Sequence, residues 1–220
     1  MIRKTNLLTA AALCGLAAAP VSAAMTASAT TDLNLRAGPG PQYAVQSVIP
    51  AEGAVDVAGC LEAGEWCEVT YDGTSGWAYS AYLTTPVENE PVVIYQNTDR
   101  VKVETVTYDN TTEEAVGAAS VGAWGAAVGS LIVGGPAAAA AGAVIGAAVG
   151  AESVPEETVT YVTANPVEPV YLNGEVVVGA GIPDTVTLYE VPDAQYQYVN
   201  VNEQYVVVNP ENRRIVRVIR

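Results

Sequence analysis

Two cysteines, Cys60 and Cys67, and a scatter of tyrosines and tryptophans are the residues of this chain with the most chemistry to offer. The 220 residues contain no histidine and no phenylalanine, but 12 tyrosines and 20 glycines. Histidine is the commonest general base and zinc ligand. Its absence excludes Ser-His-Asp and Cys-His sites outright. Acids outnumber bases 24 to 9, a net charge of -15, which excludes the large phosphate-binding footprint of a nucleic-acid protein. A carboxylate pair acting as a cell-wall hydrolase is the remaining catalytic option. No segment has the make-up of a cleft-sized catalytic domain, so the expectation is a non-catalytic protein with no cofactor. Two thiols without histidine are half a zinc site, and no metal is expected.

What the cysteines do depends on where the chain is sent. Residues 1–23 have the layout of a secretory signal. Arg3 and Lys4 give a positive start, residues 7–19 are apolar, and Val21-Ser22-Ala23 is a small-residue cleavage pattern. Ala27-Ser28-Ala29 is a second candidate. Cys14 follows Leu13 within the apolar run, which disfavours a lipidation signal. Cutting after Ala23 removes Arg3, Lys4 and Cys14 and leaves a net charge of -17. Two cysteines behind an export signal favour a disulfide, Cys60 to Cys67.

Residues 28–84 read as short strands punctuated by turns. Alternation begins at Asp32-Leu33-Asn34-Leu35, and Gly38-Pro39-Gly40-Pro41 breaks it. Further runs follow at 44–49, 54–60, 66–71 and 76–79, with Gly53, Gly64 and Asp72-Gly73 between them. Turn chemistry at this spacing predicts an all-β domain. The strands ending in Cys60 and beginning near Cys67 would form a hairpin around Ala63-Gly64, with both thiols on one face.

The run Leu33-Asn34-Leu35-Arg36-Ala37-Gly38-Pro39-Gly40 with Tyr43 resembles the opening of a bacterial SH3-like domain. Glu65-Trp66-Cys67-Glu68-Val69, Asp72-Gly73, Gly76-Trp77-Ala78 and Ser80-Ala81-Tyr82-Leu83 carry the likeness to its end. The resemblance implies a small barrel used in the bacterial envelope for peptide or cell-wall binding. Tyr43, Trp66, Tyr71, Trp77, Tyr79 and Tyr82 are then candidates for an aromatic ligand groove. A domain this small must also bury its large aromatics, and Trp66 and Trp77 fit the core best. Tyr43 and Tyr82 sit beside a turn or an end and suit a groove better. Arg36 is expected to pair with a carboxylate. Residues 30–84 hold seven acids and that one base. Such a charge disfavours anionic peptidoglycan and favours a neutral or basic protein partner.

Residues 85–114 read as a polar linker with strands at 91–95 and 101–108. Residues 115–151 are uncharged, and 24 of the 37 are Gly or Ala. Gly134-Gly135-Pro136 divides this block into halves that, as helices, would approach the ~30 Å of a bilayer core. Small residues recur at Gly134, Ala138, Gly142, Gly146 and Gly150. That is the small-xxx-small face of closely packed helices, and the block resembles a glycine zipper. A membrane hairpin, a hairpin packed on itself or a second copy, and a low-complexity linker all remain open. Glu104-Thr105-Val106-Thr107-Tyr108 recurs as residues 157–161, which predicts two flanking strands.

Residues 165–220 predict two hairpins. One joins 167–172 to 175–179 through Asn173-Gly174, a strong turn signal. The other joins 204–208 to 213–219 through Asn209-Pro210-Glu211-Asn212. Val177-Val178-Gly179-Ala180, Ile182-Pro183, Tyr196-Gln197-Tyr198 and the stretch from Arg213 to Ile219 resemble a bacterial domain of unknown function, number 1236. Arg213, Arg214, Arg217 and Arg220 are read as a solvated edge strand resisting edge-to-edge pairing. The expected fold is mainly β: an SH3-like barrel, a Gly/Ala-rich helical hairpin and a small carboxy-terminal antiparallel β domain. The expected role is an exported envelope protein that binds a protein or peptide, with peptidoglycan targeting as the alternative. Membrane association or a homo-oligomer would run through 115–151.

Overall fold

The computed structural model describes residues 25–108, 129–134 and 153–220. The segment expected to be a secretory signal and most of the Gly/Ala block lie outside the described residues. Among the described residues the fold is mainly β, with two sheets, two α-helices and one single-turn helix.

The amino-terminal sheet contains β1 (Met25–Ala29), β2 (Leu33–Arg36), β3 (Val45–Ile49), β4 (Ala54–Cys60), β5 (Trp66–Tyr71), β6 (Thr74–Tyr79), β7 (Leu83–Val87) and β8 (Glu90–Val93). Its order is β3-β2-β6-β5-β4-β1-β7-β8. Five of these strands fall on the alternating runs of the sequence. Leu33, Leu35, Val55, Val57 and Val69 turn inward and are buried, as a period of two requires. Asp72 and Gly73 both take positive φ between β5 and β6, where the tight turn demands it. Cys60 faces Cys67 across the β4–β5 hairpin, and the two form the expected disulfide. Replacing both by serine is expected to cost about 2–3 kcal/mol for so short a loop, read as a fall in the urea midpoint that reductant reproduces in the native chain.

β1 was not anticipated. It pairs with β4 along four residues and with β7 along two, so it lies inside the sheet. Its last residue, Ala29, donates to Gly53 O and accepts from Glu52 N. Cleavage after Ala29 would delete this strand and expose the unpaired edges of β4 and β7. Of the two cleavage sites expected from the sequence, the one after Ala23 is therefore the one compatible with this sheet, and an intact-mass measurement checks which is used.

The supposed linker is part of this domain. β7 and β8 form a hairpin, and α1 (Thr98–Val101) replaces the start of the strand expected at 101–108. Lys102 closes α1 in the left-handed region. Residues 103–108 then cross the barrel as a strap. Cys60 N donates to Glu104 O and Val106 N to Cys60 O. A β-carbon on Gly59 would lie 2.5 Å from Val106 Cγ1, so the close approach requires glycine there.

The carboxy-terminal sheet comprises β9 (Pro169–Val170), β10 (Tyr189–Glu190), β11 (Gln197–Val201), β12 (Gln204–Asn209) and β13 (Arg214–Ile219). The β12–β13 hairpin forms as read. β9 pairs with β11 in parallel, so the sheet is not wholly antiparallel. Two expectations fail here. Residues 157–161 lie in α2 (Glu156–Ala164), not in a strand. Two acids in its first turn suit the helix dipole, and the threonine hydroxyls of Thr160 and Thr163 bond back to the carbonyls of Glu156 and Val159. The Asn173-Gly174 hairpin does not form either. Asn173 instead pairs in parallel with Ser130, from the middle of the Gly/Ala block.

That pairing corrects the helical reading of the block for its described part. Residues 129–134 run as a clip through the carboxy-terminal domain. Leu131 N donates to Asn173 O, Asn173 N to Gly129 O, and Ile132 and Gly181 exchange both backbone bonds. Leu131 is buried, whereas Ile132 points outward. Among the described residues no helix is long and apolar enough to cross a membrane.

Candidate binding site

The two domains meet at a buried ion pair. Arg36, at the end of β2, is 3% exposed and Glu175 is 1% exposed. Arg36 Nε lies 2.5 Å from Glu175 Oε2, and Nη2 donates to Oε1 at 2.7 Å. The other Arg36 nitrogen donates to the carbonyls of Pro41 and Tyr43. Glu175 Oε1 also accepts from Asn34 Nδ2 and from Val176 N. A bidentate pair with extra donors on the carboxylate is the arrangement that makes charge burial tolerable. The sequence reading had Arg36 paired to a carboxylate, and its partner proves to lie 139 residues away.

Beside this pair opens a cleft of about 320 Å³. One wall is aromatic: Trp66 from the start of β5, Tyr79 from the end of β6, and Tyr95 just past β8. Trp66 and Tyr79 face each other across the sheet, their rings edge-on at 5.3 Å. Tyr95 lies 6.2 Å from Tyr79. Ser130, Leu131, Val133, Asn173 and Gly174 of the other domain supply the opposite wall, and Pro41 and Glu65 complete the lining. Pro41 is fixed by its carbonyl bond to Arg36. Ser80 Oγ, at the start of the single-turn helix Ser80–Tyr82, donates to the Gly64 and Glu65 carbonyls and ties that helix to the β4–β5 turn.

Residues 31–84 match the family model of the bacterial SH3 domain. The amino-terminal sheet carries a bacterial SH3 domain. Residues 161–220 match a domain of unknown function, DUF1236. No curated protein and no solved structure matches the chain. The SH3 match begins after β1 and ends two residues into β7, leaving out β8, so the sheet extends beyond the match at both margins.

The aromatics read as groove candidates separate into four groups. Trp66 and Tyr79 line the cleft while keeping most of their surface buried. Tyr82 is 1% exposed and lies in the core, where burial pushes its hydroxyl up and the backbone amide of Gly134 acts the other way. Burial likewise raises Tyr79, with the nearby Glu65 carboxylate adding to it. Tyr43 and Trp77 sit elsewhere on the SH3 domain, and Tyr108 of the strap fits edge-on to both, at 5.7 and 5.4 Å. That face is already filled by the chain itself. Tyr71 packs against the core.

Tyr95 escaped the sequence reading because it lies beyond the stretch that resembles the family. Its place at the end of a short strand was the only signal. Among the described residues no three Cys, Asp or Glu side chains gather as a metal site would require.

The terminal arginines are not a simple solvated edge. Arg214 is buried and donates to Gly179 O at 2.7 Å. Arg213 donates to the carbonyls of Ile182, Pro183 and Val186 and lies 3.2 Å from Asp184. Arg217 is exposed. Burial lowers the Arg220 guanidinium while Asp32 and Glu175 act the other way.

Proposed function

We propose that this is an exported, non-catalytic cell-envelope protein, and that its composite cleft holds a side chain or short extended segment of a partner protein. The observation that carries the reading is the cleft itself. Three aromatic rings and the Glu65 carboxylate are presented by the SH3 domain against a wall supplied by the carboxy-terminal domain. Flat aromatic walls with one polar group suit an extended peptide, because they bury apolar surface at small cost in side-chain entropy. Glu65 gives preference to a partner that is neutral or basic there. The bacterial SH3 match and the Cys60–Cys67 disulfide are consistent with a place outside the cytoplasm.

The described centre of the Gly/Ala block then serves as a clip between domains rather than as the turn of a membrane hairpin. That segment, residues 129–134, is fastened inside the carboxy-terminal domain. In a hairpin crossing a membrane, that turn would lie on the far side from the domain that holds it.

The test is photo-crosslinking in cells from a reactive amino acid placed at Tyr95, compared with the same probe at Tyr189 of the other sheet. A defined protein adduct from position 95 alone supports the reading, and Glu65→Gln should weaken it. Retention on purified sacculi without a protein adduct would favour peptidoglycan targeting. Recovery of the chain in the cytoplasm with Cys60 and Cys67 reduced would overturn export.

A further inference from the structure

The carboxy-terminal domain has a groove of its own. It measures about 850 Å³ and lies between α2 and the turn formed by residues 191–196. That is within the roughly 300–1,000 Å³ of ligand sites. Tyr161 and Tyr196 supply rings, Pro155 and Pro192 supply rigid walls, and Glu157 and Asp193 supply the charge. None of the described residues lining it is basic.

The walls are held in place before any ligand arrives. The Tyr161 ring stands edge-on to Tyr198 at 6.2 Å. Tyr198 Oη donates to Asn165 O at 2.9 Å, and Asn165 Nδ2 returns a bond to Tyr161 O at 2.8 Å. Opposite, Ala194 N donates to Val191 O and Val191 N to Tyr196 O, closing the turn that presents Asp193. Asp193 is held at φ 59°, where aspartate and asparagine are the side chains best tolerated.

Both carboxylates are exposed, and neither has an ion-pair partner among the described residues. Two of the four arginines of the same domain are engaged elsewhere, Arg213 with Asp184 and backbone carbonyls and Arg214 with Gly179, and neither Arg217 nor Arg220 lines the groove. A groove with two exposed carboxylates beside the partly exposed Tyr161 ring, with Tyr196 buried in its wall, is complementary to a cation that can also lie against a ring.

We propose that the groove between α2 and the 191–196 turn binds a lysine- or arginine-bearing peptide segment, with its cation between Glu157 and Asp193 and against the Tyr161 ring. The segment would be neutral or basic overall, since a chain of net charge -15 repels acidic partners before contact.

The probe is a capped hexalysine peptide, titrated into the full-length exported chain and followed by amide NMR shifts. Its lysine-acetylated form is the reference. Shifts are expected to concentrate at residues 153–161 and 191–196. Glu157→Gln with Asp193→Asn should weaken binding by at least about fivefold, and Tyr161→Leu by about threefold, in line with exposed ion pairs and cation–π contacts. Because the chain is acidic throughout, Asp72→Asn with Glu88→Gln on the SH3 domain is the control, and it should change affinity less than about twofold on the same scale. Unchanged thermal midpoints show that the variants are folded. Equal loss in both pairs of variants, shifts spread over both domains, or equal binding of the acetylated peptide would overturn the proposal.

Discussion

Glu175→Ala is expected to destabilise the folded chain by about 3–5 kcal/mol, the cost of leaving a buried charge without its partner. Arg36 would keep its bonds to the Pro41 and Tyr43 carbonyls. Its Nε and Nη2 would lose their acceptors, and Asn34 Nδ2 would keep only Gln204 Oε1, at 3.4 Å. Glu175→Gln keeps an acceptor and the shape, and should cost less. Removing both charges together, as Arg36→Met with Glu175→Leu, should recover most of the loss, because a packed apolar pair no longer carries desolvation. Urea unfolding of the four proteins checks the order. If Glu175→Ala costs under about 1 kcal/mol, a value typical of exposed pairs, the two domains are not held by this contact.

The second large effect concerns the clip. A β-carbon on Gly134 would overlap Arg214 Nη1 and the carbonyl oxygen of Gly179. The Gly179 carbonyl is backbone and the arginine is buried, so neither yields easily. Gly134→Ala is expected to cost about 2–3 kcal/mol by overpacking. Leu131→Ala should cost about 2–4 kcal/mol through lost burial and a residual cavity. Both should lower the midpoint of the whole two-domain unit, since Tyr82 of the SH3 domain and Gly179 and Arg214 of the other meet at Gly134. A clip that served only to turn a membrane hairpin would leave the unfolding of these β domains untouched.

Local pattern carried most of the SH3 domain. Alternation at Leu33 and Leu35, turn residues at Asp72-Gly73 and the Cys60–Cys67 register are short-range signals, and the strands form where they predict. The β12–β13 hairpin was legible for the same reason. What local pattern could not carry was decided by distant partners. The five residues Glu-Thr-Val-Thr-Tyr occur twice; at 157–161 they are helical, and at 104–108 they form a strap bridged to Cys60. β-branched residues lean towards strand only weakly, and packing decides between the two. Pro155 followed by two acids was a helix-start signal that the repeat obscured. At Asn173-Gly174 the turn preference yields to a strand arriving from the Gly/Ala block.

The cleft was half legible. Trp66 and Tyr79 belong to the SH3 pattern and were among the candidates, whereas Tyr95 and the Leu131–Val133 wall come from outside it. No spacing within residues 28–84 encodes a wall supplied from another domain. The same limit applies to Arg36, whose need for a carboxylate was readable and whose partner was not.

The ion pair also imposes a timetable on folding. Contacts joined across long stretches of chain form late, because closing such loops costs entropy before any contact repays it. Asn34 and Arg36 lie among the first strands to be made, and Glu175 follows 139 residues after Arg36. Chains grow from the amino end, and domains tend to fold in that order. During that interval the young SH3 domain holds a cation it cannot bury. It reaches its full stability only when the last third of the polypeptide is delivered.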